Sequence, residues 1–363
     1  MVDGPVEPAV SRRTVGVEEE FILVGASSHE PSAIGSRLVD VADEPGIKGE
    51  FKEEQVEVAS SPAASLDDLA ADLGQLRRRL VQVAADHDTA VVATGTWPGA
   101  HDPTPVRSVR FDRINDEFGN LARQQLTCGT HVHVSVDSPS EGVHVLDRIR
   151  PWLSVLTALT ANSPFWQGRD SGCASWRSVV LSQLPTAGPA PVWGDLETYR
   201  RTVREVVRTG GAFDEGMLYY DARLSARFPT VEVRVTDVCP DVEVAVAVAA
   251  LCRALVDTAA TSDPRMGPPE VSTLALRAAA WRAARHGVGG MLVDPTTNDL
   301  SPAAPAVESL LAHTEGALED NGDSARVREV VGRILTDGTF ADRQRRLVDP
   351  TGPGRAMGAF RVL

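Results

Sequence analysis

Four stretches of the chain alternate apolar with polar residues, which is typical of a strand that turns one face toward a core. They span residues 14–24, 53–58, 130–136 and 231–236. One face of these predicted strands carries Glu18 and Glu20, then Glu53, Gln55 and Glu57, then His131 and His133, and finally Glu232 and Arg234. Side by side in one sheet, they would gather carboxylates, imidazoles and a guanidinium on a single face. Glu19 falls on the opposite, apolar face. The polar face is the candidate active site.

Helical periodicity is strongest at residues 65–87, where leucines recur at three- and four-residue steps behind Ser65 and two aspartates. The second of the four alternating strands is expected near residues 50–59, and the last belongs to a pair of strands within residues 217–236; a further, buried strand is predicted at residues 89–96. Further helices are predicted near residues 36–42, 111–124, 140–161, 173–181, 195–208, 240–261, 270–286, 302–318, 323–336 and 338–347. This mixture indicates an α+β protein with helices layered on one face of the sheet.

The pattern also divides the chain. Residues 1–13 are Pro-containing and polar, and we expect a flexible lead-in there. We expect residues 14–363 to form a single catalytic domain, of which residues 262–363 are a helical C-terminal part. The order of the strands in the sheet cannot be read from the pattern.

Charge and composition limit the classes of molecule that the chain is expected to bind. The chain has 363 residues, and 50 acidic against 36 basic side chains give a formal net charge of -14. This balance disfavours nucleic acid and anionic membranes as partners. No apolar run approaches the roughly 20 residues that span a bilayer, so we expect a cytoplasmic protein. Four cysteines without a CxxC pair predict reduced thiols rather than disulfides or a zinc site. Whether the chain forms a homo-oligomer stays open.

Carboxylates that converge on one sheet face repel one another unless cations neutralise them. Mg²⁺ or Mn²⁺ would do so, because these ions prefer carboxylate oxygens and keep waters or phosphates as their other ligands. An imidazole suits Mn²⁺ or Zn²⁺ better than Mg²⁺. Three simpler interpretations stay open at this point: a solvated strand face, surface ion pairs between Glu232 and Arg234, and an ordinary loop at residues 162–168, which we otherwise expect to form a pocket wall.

Four motifs in fixed order carry a family resemblance. They are Val17-Glu18-Glu19-Glu20-Phe21, Cys128-Gly129-Thr130-His131-Val132-His133-Val134, Ala161-Asn162-Ser163-Pro164-Phe165-Trp166 with Gly168, and Pro229-Thr230-Val231-Glu232-Val233-Arg234-Val235. Together they resemble the type 2 glutamate-cysteine ligase family, in its bacterial carboxylate-amine ligase branch. The resemblance covers about residues 14–260.

This resemblance implies a fold like that of glutamine synthetase and the guanidino kinases: a curved, mostly antiparallel sheet that forms a funnel with helices outside. It implies an ADP-forming ligase that uses ATP and Mg²⁺, or Mn²⁺, to join a small-molecule carboxylate to an amine through an acyl phosphate. Carried over by motif, the metal ligands would be Glu18, Glu20, Glu57, His131 and Glu232. Arg177, Arg223 and Arg234 would face ATP or the transferred phosphate, and His133 would orient the substrate.

One departure from the family concerns substrate choice. Family members often carry Gly-Thr-His-Pro where this chain has Gly95-Thr96-Trp97-Pro98, and residues 99–110 are also atypical. We therefore expect Trp97 near the mouth of the site, where an indole would favour an apolar or aromatic substrate.

The alternatives are a natural-product amide synthetase with substrates other than glutamate, a kinase or simple ATPase on the same fold, and a non-catalytic homologue that binds ATP or an amino acid. A His-based metallohydrolase is a further alternative. Formation of an amide product separates the ligases from the kinase, the ATPase and the hydrolase. Loss of the metal ligands would mark the non-catalytic homologue, and this chain retains all four motifs.

Overall fold

The structure is a computed structural model that describes residues 12–351 and 357–362. The expected lead-in at residues 1–13 therefore lies outside the described residues, apart from Arg12 and Arg13. Arg13 is held in place: its guanidinium lies 2.7 Å from the Glu141 carboxylate and 2.9 Å from that of Asp257.

The strands are short apart from the first. They are β1 (Val15–Gly25), β2 (Ile47–Gly49), β3 (Gln55–Ala59), β4 (Thr89–Val92), β5 (Gly129–Ser135), β6 (Phe165–Trp166), β7 (Arg169–Asp170), β8 (Ala222–Leu224), β9 (Thr230–Asp237), β10 (Met291–Val293) and β11 (Leu300–Pro302).

The helices are more numerous and longer. They are α1 (Gly35–Ala42), α2 (Leu66–Ala85), α3 (Val109–Phe118), α4 (Asn120–Arg123), α5 (Pro139–Ile149), α6 (Leu153–Leu159), α7 (Trp176–Leu181), α8 (Leu196–Arg208), α9 (Val242–Ala260), α10 (Thr273–His286), α11 (Ala303–Asn321), α12 (Ser324–Asp337) and α13 (Phe340–Thr351). Within the described ranges, every helix is too short or too polar to cross a membrane.

The main sheet has the strand order β2-β3-β1-β5-β9-β8, and β4 pairs with the end of β1 that β5 leaves open. The named strands of this sheet pair antiparallel throughout. The predicted α+β class and mostly antiparallel sheet are thereby confirmed.

Helices cover one face of this sheet. α2 packs on β1 and β3, and α9 packs on β1 and β5, with α11 and α12 behind α9. α9 is buried around most of its circumference because it lies between the sheet and these outer helices. Glu19 points to this helical face, as predicted, and its carboxylate receives two hydrogen bonds from Arg77 of α2 at 2.8 and 2.6 Å. The opposite face of the sheet is left for the site.

Three predicted elements differ in the structure. The helix expected at 140–161 is split into α5, a 3-10 turn at Arg150–Trp152, and α6, because Pro151 has no N–H to donate. The strand expected at 50–59 begins only at Gln55. The C-terminal part is not wholly helical, since β10 and β11 pair as a hairpin.

Candidate active site

The pairing of the strands aligns the predicted side chains across the sheet. Glu57 of β3 is opposite Glu20 of β1, and Glu18 of β1 is opposite His131 of β5. Further across, His133 of β5 is opposite Glu232 of β9, and Glu232 is opposite Arg223 of β8. Side chains opposite one another in antiparallel strands share a face. The register therefore forms one continuous polar floor from β3 to β8.

A cavity of about 1170 Å³ lies on this floor. Its lining includes all nine residues predicted from the sequence, namely Glu18, Glu20, Glu57, His131, His133, Arg177, Arg223, Glu232 and Arg234. The cavity is large enough for a nucleotide and a second small molecule, since ligand pockets typically measure about 300–1000 Å³. The sequence-based prediction of a shared face thus holds in the folded chain.

A β-bulge in β9 changes the predicted alternation. Val132 pairs with Val233, but Thr130 pairs with Thr236, so β9 has one more residue than β5 in between. A bulge of this kind turns two consecutive side chains toward the same side. Arg234 and Val235 accordingly both line the cavity, and the alternation predicted for residues 231–236 ends at Arg234.

Glu18, His133 and Glu232 form the first cluster, here called the histidine group. One ligand atom from each lies within 4.8 Å of the others. His133 is hydrogen-bonded through Nδ1 to Thr230 Oγ1 at 2.9 Å, which directs Nε2 toward Glu18 Oε2 at 3.5 Å. That Nε2 is buried and has no hydrogen-bond partner among the described residues. It is available to a ligand.

Glu20, Glu50 and Glu57 form the second cluster, here called the all-carboxylate group, and their oxygens also lie within 4.8 Å of one another. Glu20 accepts a hydrogen bond from Gly129 N–H at 2.7 Å. Lys48 Nζ lies 3.2 Å from Glu57 and 3.8 Å from Glu18. Lys48 is half-exposed, so it neutralises these carboxylates only in part.

Glu50 was not predicted as a site residue. If residues 50–59 formed one regular strand, as expected, Glu50 and Glu57 would lie on opposite faces. In the structure a turn precedes β3, and the chain folds back so that Glu50 joins Glu57. Glu53 leaves the floor for the same reason and accepts hydrogen bonds from Ser36 of α1. Gly49 and the charged residues after it were the available signal of a turn.

The two clusters perturb their carboxylates in opposite directions. Burial opposes ionisation of Glu18, but the neighbouring imidazoles of His131 and His133 outweigh it and hold the pKa of Glu18 far below its usual range. In the all-carboxylate group, burial and then the charge of Glu18 raise the pKa of Glu57 to about 7. Burial and the neighbouring Glu20 and Glu57 raise the pKa of Glu50 well above its usual value.

The arginines on the floor are not equivalent. Arg223 donates through Nε to Glu232 at 2.9 Å, and its Nη1 is taken up by backbone carbonyls such as Gly216 O at 2.8 Å and Leu218 O at 2.9 Å. Arg234 pairs with Glu232 through Nη1, and the other nitrogens of its guanidinium have no partner among the described residues. Burial opposes ionisation of Glu232, but Arg234 and Arg223 keep its pKa far below the usual range. Arg234 therefore retains donors for a substrate, whereas Arg223 is committed to the protein.

Arg177, at the start of α7, is 3% exposed and lies against Gly129. A Cβ at Gly129 would come within 2.2 Å of Arg177 Nη2, so a larger residue there would displace the Arg177 guanidinium. Arg177 Nη2 donates to Arg234 O at 3.3 Å, and Nη1 lies 3.9 Å from Asp237. Its Nε is buried without a partner among the described residues. Arg177 joins the ends of β5 and β9 to α7 at the cavity wall.

Two predictions about the cavity wall are wrong. Trp97 is 2% exposed, packs in the core with Val92 and Leu126, and is not part of the cavity lining. Residues 162–168 are not part of the lining either. Asn162 is fully buried, and its side-chain amide donates to Ala93 O and Val238 O. Asn162 thereby ties together two backbone segments behind the site, whereas Trp97 contributes apolar packing. Of the atypical residues 99–110, Ser108 and Arg110 reach the cavity.

The donor set suits a divalent cation. Each cluster offers oxygen ligands, and the histidine group adds one imidazole nitrogen, which is the chemistry that Mg²⁺ and Mn²⁺ accept. A cation would relieve the repulsion that raises the pKa values of Glu50 and Glu57, and it would give a partner to Nε2 of His133, which has none among the described residues. The residues present therefore fit the metal that the sequence predicted.

Comparison with known proteins agrees with this chemistry. The profile of glutamate-cysteine ligase family 2 matches residues 14–358. A protein of Frankia alni, provisionally named glutamate-cysteine ligase 2-2, is 46% identical over 351 residues and 92% of each chain. A protein of Streptomyces coelicolor, provisionally named glutamate-cysteine ligase 2, is 45% identical over 354 residues, which are 96% of this chain and 97% of that one.

Solved structures resemble the fold at low sequence identity. The glutamate-cysteine ligase of Francisella tularensis, solved in complex with AMP, gives a TM-score of 0.70 at 14% identity over 97% of this chain and 89% of its own. The bifunctional glutathione synthetase of Pasteurella multocida gives 0.72 at 17% identity over 96% of this chain, which spans 52% of that enzyme. The family match and these relatives lead to one conclusion: the chain belongs to glutamate-cysteine ligase family 2 and is an ATP-dependent ligase that forms amide bonds.

Proposed function

We propose that this chain joins a small carboxylic acid to an amine in the cavity on the sheet face, through an acyl phosphate. The substrate carboxylate attacks the γ-phosphorus of ATP, ADP leaves, and the amine then displaces phosphate. Glutamate and cysteine, the pair in the names of the relatives, are the first substrates to test. Another acid and amine, as in natural-product amide synthesis, form the second candidate pair.

The observation that carries this proposal is the placement of two ligand groups beside an arginine with free donors. The histidine group and the all-carboxylate group share β1, and Arg234 adjoins Glu232. Transfer of a phosphoryl group depends on cations along the triphosphate and on donors around the group in flight, because catalysis there is mostly positioning and charge stabilisation. The floor of this cavity offers ligands for the cations in its two clusters and hydrogen-bond donors on Arg234.

We propose that each cluster holds one divalent cation, Mg²⁺ or Mn²⁺. Such cations neutralise the triphosphate and the charge that develops on the transferred group. His133 takes the ligand role that the sequence analysis gave to His131, because its nitrogen lies within the cluster. His131 takes the substrate-facing role in exchange. Burial and Arg234 lower the pKa of His131, so it faces the substrate as a neutral imidazole.

The arginines divide the remaining work. Arg234 donates to the transferred phosphoryl group through the nitrogens that Glu232 leaves free. Arg223 is a positioning residue, since it fixes the orientation of the Glu232 carboxylate. Arg177 keeps its predicted place near ATP, because it lines the cavity and its Nε has no partner within the described chain.

The test is to incubate the protein with ATP, Mg²⁺, L-glutamate and L-cysteine, and then with pooled acids and amines. We expect ADP and an amide to form only when acid and amine are both present. With an oxygen-18-labelled carboxylate, the label should appear in the released phosphate, because the acyl phosphate passes that oxygen on. Release of AMP, unlabelled phosphate, or no turnover with any pool would each overturn the proposal.

A pair of arginine variants tests the site itself. Arg234→Met should lower turnover by about 10²–10³-fold, the usual cost of losing one donor to the reacting group. Arg227→Met is the matched control, since Arg227 is an exposed arginine that lines the same cavity. Equal activity of the two variants would remove Arg234 from the reaction.

A further inference from the structure

Asp221 differs from the other acidic residues of the cavity. Glu18, Glu57 and Glu232 have cationic partners, Asp214 is paired with Arg110, and Glu20 and Glu50 accept backbone N–H groups. Glu215 is exposed to solvent. Asp221 lines the cavity and is partly buried, but its carboxylate has no hydrogen bond or ion pair among the residues that the structure describes.

The backbone places Asp221 beside Arg234. Asp221 immediately precedes β8, and its carbonyl accepts a hydrogen bond from Arg234 N–H at 2.9 Å. In the strand order β1-β5-β9-β8, Glu18 and His133 of the histidine group lie on one side of Arg234 and Asp221 lies on the other. Asp221 thus offers a carboxylate beside Arg234 on the side away from Glu18 and His133.

The facing wall of the cavity supplies one charge to Asp221. α10 presents Arg277, Ala280, Trp281 and Ala284 to the cavity. Arg277 stabilises the ionised Asp221 carboxylate electrostatically, but the two form no ion pair within 4.0 Å. A space is thus left between a carboxylate and a wall of one guanidinium and one indole.

We propose that Asp221 binds the ammonium group of the amine substrate and accepts its first proton. This inference rests on the proposed ligase function. An ammonium loses two protons when it becomes an amide nitrogen. The first passes to Asp221 and frees the nitrogen lone pair. That pair forms the C–N bond while the C–O bond to phosphate breaks, its electrons remain on the phosphate oxygen, and the second proton leaves with phosphate.

The electrostatics of the site support this role. Burial raises the pKa of Asp221 to about 7, against a smaller opposing effect of Arg277. A base is most effective when its pKa lies near the working pH, and a positioned base contributes about 10²–10⁴-fold to rate. The charged group that acts on the Asp221 carboxylate is Arg277 from α10, whereas Arg234 on the neighbouring strand contacts Asp221 through the backbone.

Hydroxylamine provides the test, because it is neutral at neutral pH and needs neither a carboxylate to bind it nor a base to deprotonate it. The wild type and Asp221→Asn are compared with ATP, Mg²⁺ and an acid that supports turnover, using either an alkylammonium amine or hydroxylamine. We expect Asp221→Asn to lose about 10²–10³-fold in amide formation while hydroxamate formation stays near the wild-type rate. Raising the pH should partly restore the amine reaction, because the free amine then forms in solution.

Asp214→Asn is the matched control, since Asp214 lines the same cavity but is exposed and paired with Arg110. If Asp221→Asn keeps full activity with the amine, or loses the amine and hydroxylamine reactions equally, Asp221 is not the base and the ligase proposal stands. If the wild type forms neither amide nor hydroxamate with any acid, the ligase proposal fails and the role of Asp221 fails with it.

Discussion

The histidine group and the all-carboxylate group each take one glutamate from β1, yet the pKa values of their carboxylates are shifted in opposite directions. In the histidine group, Glu232 forms ion pairs with Arg223 and Arg234, and Glu18 lies within 4 Å of the imidazoles of His131 and His133. In the all-carboxylate group, three carboxylates meet with the partly exposed Lys48 as their cation. Neighbouring groups lower the pKa values of the two carboxylates in the histidine group. In the all-carboxylate group, burial and repulsion between carboxylates raise the pKa values of Glu50 and Glu57.

The two proposed cation sites on this sheet face therefore differ in how they would favour metal binding. The histidine group is preorganised: neighbouring groups favour the ionised form of its two carboxylates, and hydrogen bonds orient Glu232 and His133 before a metal binds. The all-carboxylate group stores like-charge repulsion that a cation relieves, so metal binding there must release protons. We therefore expect the two groups to respond in opposite directions when a carboxylate is made neutral.

The largest effect is expected from Glu232→Gln, which breaks the preorganised group. Glu232 is 2% exposed and balances two arginines, so its loss leaves buried charge unpaired. The free energy of unfolding should fall by about 3–5 kcal/mol, as for other broken buried ion pairs. Turnover should fall by about 10³-fold or more if a metal ligand is also lost. Urea unfolding and ADP release measure the two effects, and Glu308→Gln on the surface of α11 is the control.

A smaller effect, with the opposite sign in stability, is expected from Glu50→Gln. Burial and the neighbouring carboxylates oppose ionisation of Glu50, so an uncharged amide should leave the metal-free protein as stable as the wild type or more so. Turnover and Mn²⁺ affinity should nevertheless fall by about 10–100-fold, because a ligand is lost. Thermal unfolding at increasing Mn²⁺ concentrations measures the stability and the Mn²⁺ affinity, and ADP release measures the turnover. A variant that is destabilised without metal would show that the two clusters do not differ as described.

The smallest effect is a pH dependence of stability. The folded state holds the pKa of Glu57 at about 7, against 4.5 for an unperturbed glutamate. A carboxyl whose pKa is raised by folding stabilises the protein below pH 4.5, and this contribution is lost as the pH rises to about 7. We expect the free energy of unfolding of the metal-free wild type to decline over this window by on the order of 2 kcal/mol relative to Glu57→Gln.

The measurement is urea unfolding in EDTA at several pH values, repeated with Mn²⁺. The comparison with Glu57→Gln is needed because His131 has a lowered pKa, so its contribution has the opposite slope and is lost as the pH falls. Mn²⁺ should abolish the decline, since the bound cation favours ionised Glu57. The same slope in wild type and variant would count against a strained all-carboxylate group.

The shared face was predictable because side chains on a strand alternate with a period of two. Alternation alone placed Glu18, Glu20, His131 and Glu232 on one side and Glu19 on the other, and the structure confirms both placements. Where the strand is irregular, the same rule failed. A turn brings Glu50 into the floor and removes Glu53, and a bulge brings Val235 into the lining beside Arg234.

The sequence by itself determined the residue types on the floor, the mixture of helices and antiparallel strands, and the family. Only the tertiary structure decided how those residues are paired. Among the described residues, it left Nε2 of His133 and the carboxylate of Asp221 without a hydrogen-bond partner, bound Arg223 to backbone carbonyls, and buried Trp97 in the core. The physical reason is that alternation is local, whereas charge pairing depends on strand order and register, which are set by contacts between residues far apart in the chain.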